Sequence, residues 1–136
     1  MTIALQYIHV TVSDVDEAIG FYRDALGLQL QNDVSSGGHR WVTLGVPAQP
    51  GVGIVLSDPH AGRSQPDGDA MQELLVKGAL PMLVFVSDDL DATFETARAF
   101  GAEVLQEPMD MAWGARDCAF RDPSGNMIRI AQAPAA

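Results

Sequence analysis

The chain has 136 residues, 47% of them hydrophobic and 19% charged, and carries a net charge of −10. That length suits one domain able to bury roughly two thirds of its unfolded surface, and no apolar run approaches the roughly 18 residues that span a bilayer. The acidity argues against nucleic acid and anionic membrane as partners, because both repel such a surface. Cys118 is the lone cysteine, which excludes a disulfide framework. Together with a start, Met1-Thr2-Ile3-Ala4-Leu5, that has no basic leader, it makes the cytoplasm the expected compartment.

Ile3 to Val12 alternates as a strand does, with Ile8, Val10 and Val12 on one face and Tyr7, His9 and Thr11 on the other. Asp14 with Glu17 three residues on reads as a capping box. Ala18, Ile19, Tyr22, Ala25 and Leu26 follow at helical spacing, and Gly27 suits the left-handed residue that stops a helix. Leu28 to Val34, Arg40 to Leu44 and Val52 to Ser57 read as three short strands separated by Gly and Pro. Asp58 to Asp69 is polar, and a short helix over Ala70 to Lys77 is expected after it, ended by Gly78.

The plan then repeats. Leu80 to Val86 is a strand, Asp89 to Phe100 a helix, and Glu103 to Gln106, Arg116 to Phe120 and Asn126 to Ala131 are strands. Asp122-Pro123-Ser124-Gly125 has the residues a type I turn prefers. The repeat is also literal: Val10 to Asp14 returns as Val84 to Asp88, Gly27 as Gly101 and Ile54 as Ile128, all at an offset of 74 residues. A fixed offset from first strand to last marks a duplicated unit. The expected organisation is one α+β domain over 1–136. It has a first βαβββ module (1–58), a linker with a short helix (59–79) and a second βαβββ module (80–136).

Val12-Ser13-Asp14 through Phe21-Tyr22-Arg23-Asp24-Ala25-Leu26-Gly27-Leu28, Trp113-Gly114, and Phe120-Arg121-Asp122-Pro123-Ser124-Gly125-Asn126 resemble the vicinal oxygen chelate superfamily of glyoxalases, bleomycin-resistance proteins and extradiol dioxygenases. The resemblance spans both modules. It implies paired modules with pseudo-two-fold symmetry whose curved sheets form a cup, within a homodimer. It does not fix the chemistry, which belongs to the site and not to the fold.

Metal-dependent members of that superfamily carry His, Glu or Gln on the cup face of the first and last strand of each module. In a glyoxalase-like register these positions fall here at Tyr7, Val55, Pro81 or Met82, and Arg129. Val, Pro and Met offer no donor to a hard divalent ion, and a guanidinium repels one. No metal and no other cofactor is therefore expected. His9, the one cup histidine, is a candidate acid–base group, although a hydrogen-bonded structural role is the commoner fate of such a residue.

Alternation predicts the rest of the cup lining: Trp41, Val55, Phe85, Leu83 and Met127 as apolar members, with Tyr7, His9, Asp117 and Arg129 as polar ones. Trp113 is a candidate lid aromatic or an interface plug. Cys118 falls on the helix side as a small buried hydrophobe. His39, beside Gly37-Gly38, could touch a ligand from the rim but reads first as a turn residue, and His60 reads as a solvated linker residue. Three functions fit. The leading one is a metal-independent binder of a small organic molecule, homodimeric, with no activity of its own. The second is a metal-dependent or His9-assisted lyase, isomerase or dioxygenase. The third is an interaction protein with a vestigial cup.

Overall fold

The computed structural model describes residues 1–134. Strand β1 (Tyr7–Thr11) leads into helix α1 (Val15–Ile19), which continues through a π-helical stretch over Gly20–Ala25. Strands β2 (Gln29–Ser36), β3 (His39–Gly45) and β4 (Gly53–Ser57) complete the first module. Helix α2 (Gln65–Val76) bridges to β5 (Leu83–Ser87), α3 (Leu90–Phe100), β6 (Glu103–Asp110), β7 (Arg116–Arg121) and β8 (Met127–Gln132). The two four-stranded sheets have matching orders, β1-β4-β3-β2 and β5-β8-β7-β6, so the duplication seen in sequence is a duplication of topology. In each, the first strand runs parallel to the last and the other pairings are antiparallel. No helix among the described residues is long and apolar enough to cross a membrane.

The linker helix begins five residues earlier than its apolar pattern suggests. Ser64 caps it by accepting from the Asp67 amide, and Pro66 sits in the first turn, where its missing N–H costs nothing. The strand expected from Ile3 likewise starts only at Tyr7, because Gly53 is the first partner that β4 offers.

Both helices of the repeat are capped alike: Asp14 accepts from the Glu17 amide and Asp89 from the Ala92 amide. Those caps are 75 residues apart, whereas Gly27 and Gly101, which follow the same helices, are 74 apart. The extra residue of the first helix is absorbed by its π-helical stretch, where the Leu26 amide reaches back five positions to the Phe21 carbonyl. The offset therefore changes by one between the first strand and the rest of each module.

Helix-facing side chains of both sheets fill one core. Val10, Val12, Ile54 and Leu56 of the first module join Phe120, Ile128 and Ile130 of the second, with Phe21, Tyr22, Leu90 and Phe94 from the helices. Fully burying a side chain of this size is worth about 1.5–3 kcal/mol. Phe94 stacks on Phe120 at 5.4 Å between centroids, and Phe21 meets Tyr22 edge-on at 5.1 Å.

The modules are also tied by a polar clasp. The buried Asp122 carboxylate accepts from the amides of Ser124, Gly125 and Asn126, each at 2.9 Å, and from Asn126 Nδ2 at 2.9 Å. From the other module the Tyr22 hydroxyl donates to it at 2.7 Å. Asn126 Nδ2 also donates to the Thr11 carbonyl, and the Ser13 amide donates to Ser124 Oγ. Gly125, at φ 109°, lies against the Leu75 carbonyl, where a Cβ would come within 2.9 Å. No side chain larger than hydrogen suits that place.

Burial, then the charge and hydrogen bond of Asp122, hold the Tyr22 hydroxyl well above the ordinary tyrosine value. Its raised folded pKa means the neutral phenol stabilises the fold fully below the unfolded pKa of about 10 and loses that contribution as pH rises beyond it. Tyr22→Phe should cost about 1.5–3 kcal/mol in denaturant unfolding at neutral pH, the range for a hydrogen bond to a charged group. It should also flatten the fall in stability above about pH 10. An unchanged midpoint, or an unchanged alkaline slope, counts against this role.

Candidate functional site

On the first sheet, the face turned away from the helices carries Tyr7, His9 and Thr11 of β1, Gly53, Val55 and Ser57 of β4, and His39, Trp41 and Thr43 of β3. Their alternate neighbours Val10, Ile54, Leu56, Val42 and Leu44 are all in the core. His9 pairs in register with Val55, Thr43 with Val55, and Trp41 with Val34. On the second sheet the equivalent face carries Val84 and Val86 of β5, Arg129 and Met127 of β8, and Asp117 and Ala119 of β7. Val84 and Ala119 flank Arg129 in register.

Phe85 and Leu83 are not on this face. They pair with Ile130 and Ile128 and pack against the core. The reason is the extra residue of the first helix. Carrying the 74-residue offset into β5 places its pairing one residue off, and a one-residue slip exchanges the two faces of a strand. Val84 and Val86, which the sequence turns toward the helices, are instead 64% and 66% exposed on the open face. Pro81 and Met82 precede β5. The cross-strand neighbours on the first and last strands of each module are therefore His9 beside Val55, and Val84 beside Arg129.

Arg129 is held by a buried acceptor. Its Nη1 donates to Asp117 Oδ1 at 3.0 Å and to Gln106 Oε1 at 3.4 Å. Gln106 Nε2 in turn donates to Asp117 Oδ1 at 2.8 Å and to the Asp117 carbonyl at 3.1 Å. Asp117 is only 3% exposed, while the Arg129 side chain keeps a quarter of its surface in solvent. The result is a charge-neutral polar island whose other guanidinium nitrogens make no hydrogen bond among the described residues, on a face shared with apolar Val84, Val86 and Met127. Gln106 escapes a sequence reading because it lies across a bulged stretch of β6–β7, where alternation breaks. Beside this island Cys118 is buried, and desolvation, followed by the Asp117 charge, pushes its thiol up to about 11, so it is unreactive at neutral pH.

A second polar pair lies on the first sheet. His39 Nδ1 meets Asp58 Oδ2 at 2.8 Å, and its ring stands edge-on to Trp41 at 6.4 Å between centroids. The other Asp58 oxygen accepts from the His60 amide at 2.8 Å. Burial works to raise the Asp58 carboxyl, but the hydrogen bonds from His39 and from the His60 and Ala61 amides outweigh it and hold the group below its ordinary value. The turn residue read from sequence is thus an oriented imidazole. The i, i+2 spacing of His39, Trp41 and Thr43 carried that signal; Asp58, nineteen residues away, did not announce itself. His60 is not simply solvated either, since Nε2 meets Asp69 Oδ1 at 2.8 Å.

Trp113 lies in the connection between β6 and β7, the strands that carry Gln106 and Asp117, and is 68% exposed. Tyr7 is exposed at the start of β1, and His9 reaches a cleft of about 180 Å³ shared with Thr11, Arg63, Met71 and Leu83. A larger cleft, about 500 Å³, lies between Leu26, Leu28, Val46, Pro47 and Phe85. Phe85 thus lines a cavity, but on the helix side. Among the described residues no three His, Cys, Asp or Glu side chains converge as metal ligands would.

Replacing Arg129 strands a buried carboxylate, and a broken buried pair typically costs about 3–5 kcal/mol. Because Arg129 is partly solvated, Arg129→Met should cost somewhat less, about 2 kcal/mol in chemical denaturation. Adding Asp117→Asn should restore part of the loss. Equal stability of the single variant and the parent protein would show that the island does not bear on folding.

Comparison with known proteins agrees with the topology. Residues 4–130 match the model of the Glyoxalase/Bleomycin resistance protein/Dioxygenase superfamily. The chain is 28% identical over 123 residues to the uncharacterized protein YurT of Bacillus subtilis, covering 90% of this chain and 94% of that one. The crystal structure of UcmS2 superposes with a TM-score of 0.85 at 30% identity, over 96% of this chain and 98% of that one. The structure of TnmS3, an antibiotic binding protein from Streptomyces sp. CB03234, gives 0.76 at 27% identity, over 98% and 99%. The chain belongs to the Glyoxalase/Bleomycin resistance protein/Dioxygenase superfamily.

Proposed function

We propose that this chain is a metal-independent binding protein for a small organic molecule, acting as a homodimer in the cytoplasm. One observation carries the reading: where metal-dependent relatives present donors, this chain pairs His9 with Val55 and Val84 with Arg129. A single imidazole against three non-donors is a poor site for a divalent ion. What the two open faces do offer is aromatic and apolar surface (Tyr7, Trp41, Val55, Val84, Met127) around a few fixed polar groups, the usual makeup of a small-molecule site. That a structural neighbour is an antibiotic binding protein supports the same reading.

The dimer follows from what the chain leaves uncovered. β1 and β5 are edge strands, and Val84, Val86, Met82, Met109 and Trp113 are exposed. Apolar surface of this extent beside unpaired strand edges calls for a partner. A second copy supplies matching surface through a symmetric, closed contact.

Protein purified without chelator should carry no stoichiometric zinc, nickel, manganese or iron by elemental analysis. A thermal-shift screen of small organic molecules should return aromatic ligands whose stabilisation grows with concentration and does not respond to added metal. A stoichiometric metal, or a ligand response that demands one, overturns the reading. In the same preparations, light scattering should give twice the chain mass at micromolar concentration, and Val84→Lys with Val86→Lys should lower it to the monomer value. A monomer in the parent protein refutes the assembly.

A further inference from the structure

We propose that the His39–Asp58 pair selects ligands bearing an acidic hydroxyl, so that the molecule bound is a planar aromatic carrying a phenolic or enolic O–H. The proposal rests on the reading that the open sheet faces bind a small organic molecule, and it names which group of that molecule is recognised. Asp58 is pinned by the His60 amide on one oxygen and presents the other to His39 Nδ1. A carboxylate can only accept there, so Nδ1 carries a proton, and in the neutral ring Nε2 is left with a lone pair. Nε2 makes no hydrogen bond among the described residues, and the side chain is a third exposed. The free acceptor therefore faces whatever rests on this part of the sheet.

Trp41 sets what that is. It lies two residues from His39 on the same strand face, with its ring edge-on to the imidazole, and Val34 across from it adds apolar surface. An aromatic ring stacked on Trp41 brings its substituents to the level of His39. A hydroxyl there donates to Nε2. The more acidic that hydroxyl, the stronger the bond, because any proton shared with the imidazole is stabilised through Nδ1 by the Asp58 charge. An ether or a bare ring has nothing to donate and leaves the acceptor unmet. His39 opens the third strand of its module and Asp58 directly follows the last one, so the pair sits at the far end of β3 and β4 from their Gly45–Gly53 pairing.

The test compares β-naphthol with its methyl ether by calorimetric titration of the full chain. β-Naphthol should bind at least about tenfold more tightly, as expected of one hydrogen bond to a charge-coupled acceptor. His39→Phe should erase that preference and leave the affinity for the ether unchanged. Asp58→Asn provides the second arm, useful even where His39→Phe folds poorly. The His60 amide fixes the asparagine oxygen, so the amide nitrogen faces Nδ1 and inverts the tautomer, placing a proton on Nε2. The preference should vanish with the imidazole still in place, and the histidine ¹⁵N resonances should exchange character. The proposal is overturned if the parent protein does not discriminate, if the preference survives in either variant, or if neither naphthalene binds. The broader reading fails separately, when the unbiased small-molecule screen returns no ligand of any class.

Discussion

The Asp122 carboxylate is the constraint on which the architecture depends. A buried anion is tolerable only when its lone pairs are filled, and here three turn amides, an asparagine amide and a tyrosine hydroxyl fill them. Four of those donors are local, so the turn between β7 and β8 is set by its own sequence. The Tyr22 hydroxyl comes from the first module, and Asn126, once oriented by Asp122, reaches back to the end of β1. A local turn is thereby converted into a joint between modules. Both sheets bring their apolar faces to one core because this joint and that core specify the same docking.

Duplication supplies two copies of one plan, and the π-helical stretch makes them unequal. In the first helix an extra residue is accommodated without disturbing the cap before it or the glycine after it. Its cost is local, a stretch of poorer hydrogen-bond geometry covered by the core positions of Phe21 and Tyr22. The consequence for function is larger. Counting from the helix caps, His9 corresponds to Val84 and not to Leu83, so the first strands of the two modules present different chemistry on their open faces: an imidazole on one and a branched aliphatic on the other.

That inequality explains which parts of the molecule were legible in the sequence. The strands and helices, the turn at Asp122 and the helix-side burial of Cys118 follow from periodicity and turn chemistry, which are local. The open-face placement of Tyr7, His9, Trp41, Val55, Asp117, Met127 and Arg129 follows from alternation within well-formed strands. Phe85 lies on the opposite face from the one the repeat predicts because that face depends on a count carried across a helix, and a helix can hide one residue in a bulge that no residue type marks. The caps Asp14 and Asp89 held the correct offset throughout. Reading the repeat from functional punctuation, rather than from similar strings of valines, would have recovered it.

Side-chain partners were the other limit. Alternation puts Asp117 on the same face as Arg129, within reach of it, but it shows neither Gln106 joining that pair nor Asp58 meeting His39, and in both cases the partners decide the chemistry. Arg129 with Asp117 and Gln106 is no longer a free cation; the group offered to a ligand is a neutral island with oriented donors, which weakens any preference for an anion. His39 with Asp58 is no longer a turn residue; the carboxylate orients its imidazole. The two sheets thus differ in what they present, guanidinium donors on the second and an oriented imidazole on the first. A chain with net charge −10 further disfavours anions at long range. For the binding function proposed above, these pulls together favour a neutral, aromatic and hydroxylated ligand.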